Sequence, residues 1–142
     1  MRTQTYQFSQ GQLPLLISMP HNGSQIPADI AAKMHPYAKK SMDTDWFLDR
    51  LYGFAKDSGV SLLYPFNSRY VIDLNRPQDD ESLYPGSDTT ELCPTTQFDR
   101  KPLYLDGCEP DKNEIQRRVS TYWQPYHKKL TEELERRVKH YG

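Results

Sequence analysis

Glycine and cysteine are both scarce in this 142-residue chain, with seven glycines and two cysteines. Cys93 and Cys108 form no CxxC pair and have no histidine at finger-like or nucleophile-like spacing, so they fit reduced thiols better than a disulfide framework. Apolar residues are also few: at 36%, even with the glycines added, they stay below the roughly 45–50% of an ordinary globular domain. No run approaches the ~20 residues of a membrane span, and the start lacks the charged-then-apolar layout of a secretory signal. The expectation is a cytoplasmic protein with no membrane partner. Neither sign of charge dominates, with 18 Lys and Arg against 19 Asp and Glu. That excludes a nucleic-acid binder working mainly by charge. What the chain does have is aromatic surface, 12% of residues and 10 tyrosines, which disordered chains lack. The length allows one domain, folded but short of core material.

The polar first ten residues read as an arm or an edge strand. The apolar run over 13–19, bounded by Pro20 and Gly23, has the pattern of a buried strand entering a turn. A short helix is expected over 27–35, with Pro27 in its first turn and Pro36 beyond its end. A second is expected from Asp43 or Thr44 to Gly59, where Trp46, Phe47, Leu48, Leu51, Tyr52, Phe54 and Ala55 recur at helical spacing. Residues 60–66 and 70–74 read as further strands. Strand, helix, strand in this order indicates an α/β fold, a mixed sheet with flanking helices. The proline-rich stretch over 75–110 reads as a long loop, a feature usually tied to function. Beyond it, Asp111 opens a long amphipathic helix with Ile115, Val119, Tyr122, Tyr126, Leu130, Leu134 and Val138 on one face. Pro125 should kink or break it.

Two clusters carry residue types suited to chemistry. His21, in PHNG at the C-terminal end of the first apolar strand, is either a metal ligand on a tight turn or a loop histidine bonding backbone. Asp43, Asp45 and Asp49 follow at the start of the second helix, where carboxylates also favour the helix dipole. Asp45 beside His21 would make a mixed N/O pair suited to zinc. The second cluster is SRYVIDLNRP, with Arg69 before an expected strand and Asn75 and Arg76 after it. An arginine fork with a neighbouring amide suits a carboxylate, and Pro77 stiffens the segment. The alternative is surface arginines paired with Asp73 or Asp79; Asp73 is also a candidate for orienting one of them. His127 and His140 read as solvated helix residues, and YWQPYH as core packing.

Taken in order, PHNG, DTDWFLDRLY, SRYVIDLNRP, LYPG, LCPTTQFD and YWQPYH resemble the N-formylglutamate amidohydrolases, from about residue 13 to Gly142. The resemblance implies an α/β zinc hydrolase related to the zinc carboxypeptidases. Such an enzyme releases formate from N-formyl-L-glutamate in histidine degradation. It also implies Zn2+ on His21 and Asp45, with Asp43 as the nearby competitor for the acidic position. Arg69 would polarise the scissile carbonyl, and Asn75 and Arg76 would grip the α-carboxylate of a small-molecule substrate. The same clamp would serve a related zinc amidohydrolase acting on another N-acyl amino acid.

Two departures accompany it. Phe47 stands where the family commonly has histidine. The family also continues for about as long again, through an Asp-x-His-Ser block with a further zinc ligand and a later acidic general base. Neither is present in 1–142, so the expectation is the N-terminal part of a single domain, incomplete in its metal site. As such it could be a non-catalytic fragment, or depend on its missing C-terminal half.

Overall fold

The computed structural model describes residues 4–81 and 90–142, so the LYPG block at 83–86 lies outside the described residues. Three strands form one sheet: β1 (Tyr6–Ser9), β2 (Leu16–Ser18) and β3 (Ser61–Pro65), in the order β1-β3-β2. β1 is antiparallel to β3, with Phe8 opposite Leu63, and β2 is parallel to it, with Ile17 opposite Leu62. The helices are α1 (Ala28–Ala31), α2 (Leu48–Leu51), α3 (Gly53–Asp57), α4 (Lys112–Arg118) and α5 (Gln124–Tyr141). A π turn, Val119–Trp123, joins the last two. The protein is therefore a mixed α/β fold with a three-stranded mixed sheet, and no described helix is long and apolar enough to cross a membrane.

The polar arm supplies the third strand, in place of residues 70–74. Those five residues are each at most 5% exposed but follow a path of turns. Their backbone is satisfied piecemeal: Val71 N–H donates to Ser68 O at 2.9 Å and Asp73 N–H to Leu92 O at 2.7 Å. A short apolar run buried on all sides has no periodicity to distinguish a central strand from a buried turn.

The helix expected over 43–59 is broken. Phe47 caps α2 in the left-handed region at φ 65°, and Tyr52 separates α2 from α3. Leu48, Tyr52 and Ala55 pack with Met19, Val60 and Leu62, whereas Trp46, Phe47, Leu51 and Phe54 are exposed. One face of a 3.6-residue helix cannot bury so dense a set of apolar positions.

The long helix starts as expected, with Asp111 Oδ1 accepting from Glu114 N–H at 2.8 Å. The discontinuity at Pro125 takes the form of the preceding π turn, which tolerates a residue that lacks N–H and crowds the carbonyl four residues back. Downstream the buried face runs Tyr126, Leu130, Glu133, Arg137, while Leu134 and Val138 face outward. Tyr126 OH fixes α5 to the sheet, donating to Leu63 O at 3.2 Å and lying 2.8 Å from Ser18 Oγ. Both cysteines are free, Cys93 buried and Cys108 partly so.

Glu133 is the acidic centre of this helix. Burial alone would raise its carboxyl, but hydrogen bonds from Lys129, Arg136 and Arg137 bring it from the ordinary 4.5 down to about 2. With the native pKa below the unfolded one, the unfolded chain takes up protons first as pH drops. Stability is expected to be full above about 4.5 and to fall as pH decreases toward about 2. Urea midpoints across that range should fall less steeply in Glu133→Gln, from a lower neutral-pH starting value.

Candidate functional site

β2 and β3 are parallel, so the segments leaving their C-terminal ends emerge side by side, the place where open α/β sheets hold ligands. The pairing continues past the strands: Ser24 and Gln25 N–H groups donate to Phe66 O, and Ser68 N–H donates to Gln25 O at 2.8 Å. Gly23 makes this possible. A Cβ there would sit 2.2 Å from the Asn67 carbonyl oxygen, so only glycine lets the PHNG turn lie against the chain leaving β3. His21 and Arg69 thereby meet.

Asp45 reaches the same place through the backbone and a chain of hydroxyls. Its N–H donates to His21 O at 2.9 Å. Next to it, Thr44 Oγ1 donates to Gly23 O at 3.3 Å and lies 2.7 Å from Ser41 Oγ, which in turn touches Ser68 Oγ. All three hydroxyl residues are buried, so their hydrogen bonds lock the 41–45 loop onto the strand ends.

Asp73 lies at the centre of the cluster. Its Oδ1 accepts from His21 Nε2 at 2.6 Å and from Asn75 N–H at 2.9 Å, and its Oδ2 accepts from Arg69 Nη2 at 2.7 Å. Burial pushes this carboxyl up, but the histidine, the arginine and the Asn75 amide outweigh it and hold it below the usual carboxylate range. With Nε2 spent on Asp73, His21 presents Nδ1, which lies 3.8 Å from Asp45 Oδ2 and 3.5 Å from Arg69 Nη1. A carboxylate behind a histidine is the arrangement that fixes tautomer and ring orientation at metal sites.

The sequence left Asp43 and Asp45 as rivals, and the geometry separates them. Asp43 Oδ2 accepts from Tyr70 OH at 2.7 Å and from Phe98 N–H at 3.0 Å, whereas Asp45 is half exposed and faces His21. Arg69 is capped by the Phe98 ring, whose centre is 4.7 Å from its guanidinium carbon. The alternative reading of the arginines is realised in part: Arg69 pairs with Asp73, and Arg76 Nε donates to Asp80 at 2.9 Å rather than to Asp79. Asp80 is four residues from Arg76, a spacing visible in the sequence. The hydroxyl chain links residues 27 apart and leaves no local trace.

His21 and Asp45 supply two donors of types that zinc accepts. Among the described residues, no group of three His, Cys, Asp or Glu side chains could hold a metal ion. Catalytic zinc takes three protein ligands, so the residues present fit one side of such a site. Asn22 Oδ1, beside His21, is buried without a hydrogen-bond partner among the described residues.

The mixed α/β sheet thus carries a histidine, carboxylates and an arginine together where its parallel strands end. The family model for N-formylglutamate amidohydrolase matches residues 13–142, and the chain belongs to that family. It is 45% identical over 135 residues to N-formylglutamate deformylase from Pseudomonas aeruginosa and 44% identical to that from Pseudomonas putida. Each match covers 95% of this chain and 50% of the relative, so the chain spans about half the length of these relatives. The crystal structure of N-formylglutamate amidohydrolase from Ralstonia eutropha JMP134 superposes with a TM-score of 0.79 at 26% identity, covering 97% of this chain and 54% of that one. The gene product Atu2144 from Agrobacterium tumefaciens shares the fold at TM-score 0.72 and 18% identity, covering 97% of this chain and 52% of that one.

Gly23→Ala tests how the site is assembled. Relieving the clash should part the two strand ends, cost about 1–3 kcal/mol in urea unfolding and shift the His21 ring resonances. Wild-type stability with unmoved His21 resonances would contradict the close approach.

Proposed function

We propose that this chain carries the substrate-gripping half, and part of the metal-binding half, of a zinc-dependent N-formylglutamate deformylase. The reaction is hydrolysis of the formamide bond of N-formyl-L-glutamate to glutamate and formate. The convergence of His21, Asp45 and Arg69 around buried Asp73, in a chain of this family, is the observation that carries the reading.

His21 Nδ1 and Asp45 would hold zinc, which when bound supplies a water acidic enough to be a nucleophile near neutral pH. Asp73 keeps the Nε2 proton of His21 in place, so that Nδ1 is free to ligate. Arg69, held on one side by Asp73 and covered by Phe98, keeps a fixed donor for the oxyanion that develops on the formyl carbonyl. Asn75 and Arg76 bind the α-carboxylate and turn binding into orientation. Arg76, whose own side chain is 14% exposed, must first release Asp80, which is 42% exposed and also accepts from Nη2 at its carbonyl at 3.2 Å. A substrate carboxylate would take the place of the Asp80 carboxylate, which is exposed enough for water to hydrate it once released.

The test is formate release and saturable binding, with and without added zinc, using N-formyl-L-glutamate against N-acetyl-L-glutamate and N-formyl-L-methionine. Zinc-dependent preference for N-formyl-L-glutamate is expected. Absence of both release and binding of it by this chain would overturn the reading, and preference for another N-acyl amino acid would reassign the substrate. Titration calorimetry should show zinc uptake abolished in His21→Ala and weakened about 10–100-fold in Asp73→Asn. Arg76→Ala should weaken binding of N-formyl-L-glutamate by about 10–100-fold, the loss of a charge-assisted hydrogen bond.

A further inference from the structure

Residues 71–76 are buried at their start and carry Asn75 and Arg76 at their end, yet belong to no β ladder. Buried carbonyls without ladder partners need donors from elsewhere. Three come from the run of α4, the π turn and α5. Arg118 Nη1 donates to Val71 O at 3.0 Å, His127 Nε2 to Leu74 O at 2.9 Å, and Trp123 Nε1 to Arg76 O at 2.8 Å. The last two hold the carbonyls on either side of Asn75. Their rings stack at 3.7 Å between centres and 22° between planes, so each fixes the other's orientation.

The π turn makes this alignment possible. In an uninterrupted α-helix, residues five apart fall on different faces, because the repeat is 3.6. The i→i+5 turn over Val119–Trp123 brings Trp123 round to the face of Arg118, and His127 follows four residues later on that same face. His127, expected to be solvated, is partly buried. Burial lowers its pKa, and the bond to Leu74 O only partly offsets that.

We propose that Trp123 and His127 are positioning residues for the Asn75–Arg76 carboxylate clamp, holding its backbone from both sides through the register shift of the π turn. The proposal rests on the reading of Asn75 and Arg76 as a clamp. Both residues act on the clamp through its backbone carbonyls. Their effect is on how well the clamp is ordered before a carboxylate arrives, which lowers the entropy lost on binding.

Trp123→Phe retains an aromatic ring on His127 and removes the indole N–H. His127→Phe removes the imidazole donor, and His127→Gln offers an amide N–H in its place. Three quantities are measured on the full chain: thermal midpoint, amide exchange over 70–81 by mass spectrometry, and calorimetric affinity for N-formyl-L-glutamate. Faster exchange over 73–77 is expected in Trp123→Phe and His127→Phe, with affinity about tenfold weaker and thermal midpoints close to wild type. His127→Gln should recover much of both. Unchanged exchange in both phenylalanine variants would overturn the proposal, as would losses matched by an equal collapse in thermal midpoint across all three. If the wild-type chain does not bind N-formyl-L-glutamate, the clamp reading itself fails, and with it the assigned purpose of the positioning. Faster exchange with no ligand bound would then show only that the backbone is held.

Discussion

A single buried carboxylate organises the region where the sheet ends. Asp73 is 2% exposed and receives the imidazole of His21, the guanidinium of Arg69 and the amide of Asn75 on its two oxygens. A carboxylate out of water is costly unless it is paired and hydrogen-bonded, and these three donors meet that cost together. Losing any one of them weakens the case for the charge being there. The arrangement therefore couples a metal-type histidine, a candidate oxyanion donor and the first residue of the clamp to one anchor. It also explains why β2 and β3 must be parallel and why Gly23 must be glycine, since only then do residues 21 and 69 approach the same carboxylate.

Much of that region could be seen before any coordinates. His21, Asp45, Arg69, Asn75 and Arg76 stood out because their residue types suit one chemistry, and strand ends are where such types converge. The structure brings the first three together and ties the fourth to them through its backbone. Arg76 occupies a neighbouring position with Asp80. What the sequence did not show is how the segment carrying Asp73 is built. Residues 70–74 are apolar enough for a central strand, but their backbone hydrogen bonds go to Ser68, Leu92, Arg118 and His127, partners up to 53 residues away. Local pattern carries no information about such long-range satisfaction. The broken helix over 43–59 failed for a related reason: periodicity marks apolar positions without saying how many of them a neighbour will cover.

The C-terminal helix illustrates how one irregularity redistributes function along an element. With strict α geometry, the stripe from Ile115 to Val138 would have been a continuous apolar face. The π turn ahead of Pro125 instead sends Trp123 and His127 toward the 74–76 backbone and leaves Leu134 and Val138 outside. The buried positions further on go to Glu133 and Arg137, which pair with one another; Arg137 also reaches Ser61 of β3. A low apolar content is thus partly compensated by hydrogen-bonded polar residues, although Arg137 Nε is buried without a partner among the described residues. Such networks favour one register over another more than they add to stability.

The two arginines of the site differ in the one respect that separates an orienting role from a binding role. Both are neutralised by an aspartate four residues on, which lets a chain of net charge -1 concentrate cations in one place. Asp73 is buried, so Arg69 cannot exchange partners without stranding a carboxylate in low dielectric, and the pair holds its guanidinium in place. Asp80 is 42% exposed, so water can hydrate its carboxylate if Arg76 turns to another one. A donor for a transition-state charge is most effective when already in place, and a clamp for a ground-state charge must be able to open. On the function proposed for this chain, the burial of the two partners would divide those tasks between Arg69 and Arg76.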